Sequence, residues 1–114
     1  MSMSKSAVKK NRLIDIDGTV SEDISNENSH LFAGAKVLDG AVEKINQYYE
    51  QGDCIAFFTA REEKDRKVTE DWLNSHGFKY HSLIMGKPRG GNYWWCDNLK
   101  GEFALFEGDW SKIQ

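Results

Sequence analysis

The stretch LIDIDGTV, residues 13–20, sets two carboxylates, Asp15 and Asp17, two positions apart behind an apolar run. Side chains at i and i+2 of an extended chain share a face. Two ionised neighbours there repel, so a cation or a shared proton should compensate. Three further residues stand at comparable places. Thr59 ends the apolar run CIAFFT, Lys87 follows SLIM in the loop GKPRGG, and Asp97 closes NYWWCD. If these residues share one pocket, its hard oxygen donors suit Mg²⁺, which is usually held by one or two carboxylates with water and substrate phosphate. Lys87 would add a point charge, Thr59 a donor, and the amides after Asp15 an anion-binding nest. Together these make a phosphate clamp, and phosphoryl transfer asks mainly for positioning and charge neutralisation. There is no Walker-type glycine-rich loop, which disfavours a nucleotide-driven kinase or ATPase. His30, His76 and His81 lack zinc-ligand spacing and read as surface or structurally satisfied histidines.

The elements that must position these residues alternate along the chain. RLIDID reads as a first strand, and the polar stretch SEDISNENSHLFAGAK has too little periodicity to assign. DGAVEKINQYYEQG reads as a helix with Val42, Ile45, Tyr48 and Tyr49 on one face, Asp39 as N-cap and Gly52 as its stop. CIAFFTA is apolar enough for a strand buried on both faces. EEKDRKVTEDWLNSHG is a second helix with a contact face at Val68, Trp72 and Leu73. YHSLIM and NYWWC read as third and fourth strands, whereas EFALF fits either a short strand or a turn of helix. This alternation predicts an α/β fold, a three-layer Rossmann-like parallel sheet with flanking helices. Ligands of such sheets bind outside the carboxyl ends of the strands. Asp15, Thr59 and Asp97 fall at those ends, and Lys87 lies just beyond one.

With 114 residues, 39% apolar and 29% charged, the chain is expected to form one domain over residues 12–114 behind a polar tail at 1–11. Fifteen basic against 18 acidic residues (net charge −3) leave no polycationic footprint, so neither nucleic acid nor a membrane surface is indicated as a partner. No run reaches the roughly 18–20 apolar residues of a membrane span, and the opening MSMSKSAVKKN lacks the apolar segment of a secretory signal. Cys54 and Cys96 sit in apolar runs without metal-type spacing, which suits a reducing, cytoplasmic setting.

DIDGT after an apolar strand resembles the first motif of the haloacid dehalogenase-like phosphohydrolases, Asp-x-Asp-Gly-Thr. FFTAR is similar to that family's second motif, and GKPRGGNYWWCDN to its third and fourth, so the likeness runs from about residue 12 to residue 98. The resemblance implies that Asp15 is a nucleophile forming an aspartyl phosphate. Asp17 would be the acid for the leaving alcohol and then the base for water. It further implies Mg²⁺ held by the side chains of Asp15 and Asp97 and the carbonyl of Asp17, with Thr59 and Lys87 on the phosphate. Gly18 would permit the turn. One departure stands out: the family's fourth motif is often an acidic pair and here reads Asp97-Asn98, from which weaker metal affinity is expected. Asp109, in EGDW, is the rival for that ligand position.

Many relatives insert a cap domain where this chain has only residues 20–36, enough for a flap and not for a full cap domain. An open site could take a phosphate on a larger molecule, or be covered by a neighbouring subunit in a homo-oligomer. The expected activity is that of a Mg²⁺-dependent phosphomonoesterase acting on a small phosphorylated metabolite such as a sugar phosphate or nucleotide. Two alternatives belong to other classes: a receiver-like signalling phospho-acceptor and a non-catalytic phosphate-binding domain. Receivers take their nucleophile from a middle strand, whereas here the first strand carries the motif. Arg61 and Arg89 could each touch substrate or make a structural ion pair. Trp94 and Trp95 divide between core and surface, with an aromatic wall for substrate as the other option.

Overall fold

Three of the apolar runs become parallel strands. They are β1 (Asn11–Ile14), β2 (Cys54–Phe58) and β3 (Ser82–Ile84), hydrogen-bonded in the order β1-β2-β3. The register pairs Ile14 with Phe57 and Phe57 with Leu83, so the carboxyl ends of all three strands lie along one edge. The computed structural model describes residues 9–91, 98 and 109–113. The expected strand at 92–96, the EFALF segment at 102–106, Cys96, Trp94, Trp95 and Asp97 lie outside the described residues.

The helices alternate with the strands as the sequence predicts. Helix α1 (Ala41–Glu50) buries Ala41, Ile45 and Tyr48, with Val42 and Tyr49 packed partly buried beside them. Its N-cap is Gly40 at φ 83°, in the left-handed region, and not Asp39. A side chain cannot easily adopt that conformation, so the glycine takes the cap position and the aspartate is left one residue outside. Helix α2 (Arg66–Ser75) follows a 3₁₀ turn at Glu63–Asp65 and buries Thr69, Trp72 and Leu73. Strand β2 alternates: Ile55 and Phe57 are buried while Ala56 and Phe58 are half-buried. Cys54 starts the strand as an exposed free thiol instead of a core residue.

The unassigned polar stretch becomes a 3₁₀ helix, Asn26–Gly34, kinked at Asn28. Its single buried residue is Phe32. Each side of the segment is pinned: Asn26 Nδ2 donates to Ala60 O at 3.0 Å, and Trp72 Nε1 donates to Ala35 O at 2.9 Å. It is a flap fixed to the body of the fold. The core beneath the sheet edge gathers Ile16, Val20, Phe32, Ile45, Ile55, Phe57 and Leu73, all without exposed surface. Trp110, in a short 3₁₀ turn at Trp110–Lys112, joins this core and donates from Nε1 to Thr19 O at 2.9 Å. Among the described residues no helix is long and apolar enough to cross a membrane.

Candidate active site

Strand β1 stops at Ile14, the next three residues run on beyond the ladder, and residues 18–20 form a turn. Ile14 and Ile16 are buried, while Asp15 and Asp17 are half-buried on the opposite side. The alternation expected of a strand therefore continues past its last ladder bond. The turn closes on one carbonyl: the amides of Thr19, Val20 and Ser21 all donate to Ile16 O at 2.9–3.1 Å. Gly18 sits at φ 79°, where any larger residue would be strained. Among the described residues no backbone amide is directed at the carbonyl oxygen of Asp17. An unused carbonyl beside two carboxylates is the donor set a hard cation takes.

The clamp residues converge on this turn. Lys87 Nζ lies 3.3 Å from Asp15 Oδ1, with the lysine side chain 17% exposed and the aspartate 39%. Backbone bonds hold it there. Thr59 N donates to Ile84 O, and Lys87 N donates to Thr59 O, both at 2.9 Å. Gly86 N donates to Arg61 O at 2.8 Å. The loops after β2 and β3 are thus laced together. Thr59 is fully buried, and its Oγ1 accepts from Arg61 N at 3.1 Å. Among the described residues the Thr59 hydroxyl accepts this bond and donates none, and its side chain has no exposed surface.

Both arginines make ion pairs. Arg61 is completely buried. Its Nη2 donates to Asp17 Oδ1 at 2.8 Å and its Nε to Asp17 Oδ2 at 3.0 Å, a two-pronged pair. Nη1 donates to Thr69 Oγ1 at 3.0 Å, and Thr69 in turn donates to Asp65 O at 2.8 Å. The ring of Phe32 lies against the guanidinium, 3.7 Å from Cζ to the centroid. Arg89 is exposed, with Nη1 3.8 Å from Glu27 Oε2 across to the flap. Glu27 is held below the usual carboxylate range by its own backbone amide and the Ser25 hydroxyl, with Arg89 adding to the effect.

The rival metal ligand has another occupation. Asp109 Oδ1 accepts from the hydroxyl and amide of Ser111 at 2.6 and 3.0 Å, and these bonds hold its carboxyl below the usual range. Asn98 is exposed. Among the described residues no three His, Cys, Asp or Glu side chains gather as a metal site. Asp15 and Asp17 are the two expected ligands within the described part. An open cleft of about 620 Å³ runs along the flap, lined by Glu22, Asp23, Ser25, Asn28, His30 and Leu31 among others. Asp23 borders the motif turn, lying within 3.6 Å of where a Cβ on Gly18 would stand.

Sequence reasoning missed three participants. Thr69 was hidden on a helix face that reads as ordinary core. Glu27 and Phe32 lie in the stretch without periodicity, where the one signal is the short apolar run Leu31-Phe32-Ala33.

Similarity to other proteins follows the same residues. The family described as PITM 1-3, LNS2 domain, matches residues 13–92, a span containing Asp15, Asp17, Thr59, Arg61, Lys87 and Arg89. Among solved structures, a structural-genomics crystal structure from Vibrio cholerae has a TM-score of 0.59 at 21% sequence identity, over 77% of this chain and 79% of that one. A chain of the Pnkp1/Rnl/Hen1 complex has a TM-score of 0.62 at 23% identity, over 82% of this chain. The match takes in 32% of that larger chain. Both likenesses concern the fold. No curated protein matches the sequence.

Proposed function

The chain belongs to the family of PITM 1-3 LNS2 domains, which have a phosphatase-related, haloacid dehalogenase-like fold, and on that premise we propose that it is a small, uncapped phosphomonoesterase working through an aspartyl phosphate. The observation that carries the reading is the 3.3 Å approach of Lys87 Nζ to Asp15 Oδ1. A cation in contact with the nucleophile stands where the phosphoryl oxygens must arrive, and charge placed in advance is what phosphoryl transfer uses.

The chemistry runs in two halves. Asp15 attacks phosphorus while the bond to the leaving oxygen breaks, and Asp17 gives that oxygen its proton. Asp17 then takes a proton from water, whose oxygen attacks the phosphorus, releasing inorganic phosphate and restoring Asp15. Lys87 and the Thr59 hydroxyl hold the phosphoryl oxygens throughout. The side chains of Asp15 and Asp97 and the unused carbonyl of Asp17 would hold Mg²⁺, which when bound offsets the repulsion between an anionic nucleophile and an anionic phosphate.

The flap cleft sets Ser25, Asn28 and His30, which can bond substrate hydroxyls, beside apolar Ile24 and Leu31, a mixed lining that suits a sugar phosphate or nucleotide. A cytoplasmic enzyme acting on a soluble metabolite is the setting that suits this composition. One observation favours a second reading, a phosphate-binding domain without turnover: both oxygens of Asp17 already accept from Arg61. The deciding measurement is phosphate release from p-nitrophenyl phosphate by the parent and by Asp15→Asn. Release by the parent that falls at least about 10³-fold in the variant supports the nucleophile. Phosphate binding without release would leave the second reading standing, and equal release by both proteins would reject the mechanism.

A further inference from the structure

We propose that Arg61 is a positioning residue that fixes the plane of the Asp17 carboxyl, and that Phe32 of the flap holds Arg61 in that setting. The inference rests on the acid–base role given to Asp17 above.

The geometry supplies the reasons. A carboxyl group offers about four lone-pair sites. Arg61 uses one on each oxygen, through Nη2 at 2.8 Å and Nε at 3.0 Å. The remaining sites face away from the guanidinium, so a proton can still be handed to a substrate oxygen from them. A planar two-pronged pair sets the orientation of the carboxyl as well as its position, which a single cation cannot do.

The guanidinium is itself held on several sides. Thr69 Oγ1, on α2, accepts from Nη1. The Phe32 ring covers one guanidinium face. The backbone amide and carbonyl of Arg61 are tied to Thr59 Oγ1 and to Gly86 N. Phe32 is held in turn, because its segment is bonded to Ala60 O through Asn26 and to Trp72 through Ala35 O. The arginine has no exposed surface. Its charge is therefore turned inward onto Asp17 and away from substrate, and the flap becomes part of the acid–base apparatus.

The leaving group makes the test. p-Nitrophenolate departs as an anion, whereas an alkoxide needs a proton as it leaves. A group that aims the acid therefore matters more for glycerol phosphate than for p-nitrophenyl phosphate. In the full chain, Arg61→Lys keeps the charge and loses the fork. Phe32→Leu keeps an apolar side chain, removes the ring, and keeps the test available if the lysine variant fails to fold. Misplacement of a reacting group by about 1 Å costs on the order of 10²-fold. For Arg61→Lys we expect a loss of about that size in kcat on glycerol phosphate, with KM little changed. The loss on p-nitrophenyl phosphate should be smaller by roughly tenfold, and Phe32→Leu should show the same asymmetry more weakly.

A second readout does not depend on turnover. The Nε–H of Arg61 should give a slowly exchanging proton resonance that Asp17→Asn abolishes. Equal losses on the two substrates, or an Nε–H exchanging as fast as that of an exposed arginine, would overturn the inference and leave the phosphatase reading intact. A parent protein that releases phosphate from neither substrate would reject both.

Discussion

The amide of Lys87 donates to the carbonyl of Thr59 at 2.9 Å, so the loops beyond β2 and β3 present their hydroxyl and their cation as one unit. With Thr59 N bonded to Ile84 O, the parallel ladder runs past the last strand residues and into the site. Positions fixed by ladder geometry cost little further ordering when a ligand arrives. Four expectations follow from this arrangement and its surroundings.

Lys87→Met keeps the length and removes the charge. It should lower kcat/KM for a phosphate ester by about 10²–10³-fold, the usual loss on removing one stabilising donor. Thermal stability should hardly change, since a partly exposed pair contributes about 0–1 kcal/mol. Steady-state kinetics beside a melting curve checks both. Unchanged kinetics would mean that the lysine serves Asp15 alone.

Thr59→Val is close in shape and lacks the hydroxyl. It leaves the buried amide of Arg61 without its acceptor, which costs about 1–3 kcal/mol of stability. It also removes the donor proposed for phosphate, so activity should fall with stability. Thr59→Ser should recover most of both. A valine variant as stable and as active as the parent would contradict the assignment.

Asp53 should contribute to the loss of stability in acid. Burial pushes its carboxyl up, but hydrogen bonds from Arg12 and the amide of Lys10, together with the charges of those residues, outweigh it and hold it below the usual range. Arg12 Nε lies 2.8 Å from Asp53 Oδ2. A carboxyl lowered in the folded state contributes stability above its unfolded value and loses it as the pH falls through the folded one. Denaturation profiles should therefore steepen below about pH 4, and Asp53→Asn should flatten that part of the curve. Coincident profiles for the two proteins would exclude Asp53 as the cause.

Chelation should stop phosphate release, and added Mg²⁺ should restore it. Undiminished turnover in excess chelator would remove the metal from the mechanism. A titration of the restored rate would also check the weak affinity expected from Asn98 beside Asp97.

The parts of the fold that repeat were readable and the parts that do not repeat were not. Apolar runs ending in Asp15, Thr59 and Met85 gave the three strands, because each must bury one face, through Ile14, through Ile55 and Phe57, and through Leu83. Helices α1 and α2 followed from the spacing of Ile45 and Tyr48, and of Trp72 and Leu73. Asp39 failed as a cap because the entering chain takes a left-handed turn that Gly40 accommodates, a backbone demand that side-chain preference does not encode. The flap gave no period because a kinked 3₁₀ helix with one buried residue has none. From the sequence alone, Arg61 fits a substrate contact and an ion pair equally well. Its sequence neighbours are the same in either case, and only the folded position of Asp17 decides it.

The bond from Trp110 Nε1 to Thr19 O joins residues 91 positions apart. On a ribosome that makes chain at about 5–20 residues per second, the loop carrying Asp15 and Asp17 waits several seconds for this tether. The nascent polypeptide can align its sheet and close this turn on Ile16 O well before that, and Trp110 braces it from outside once it has emerged.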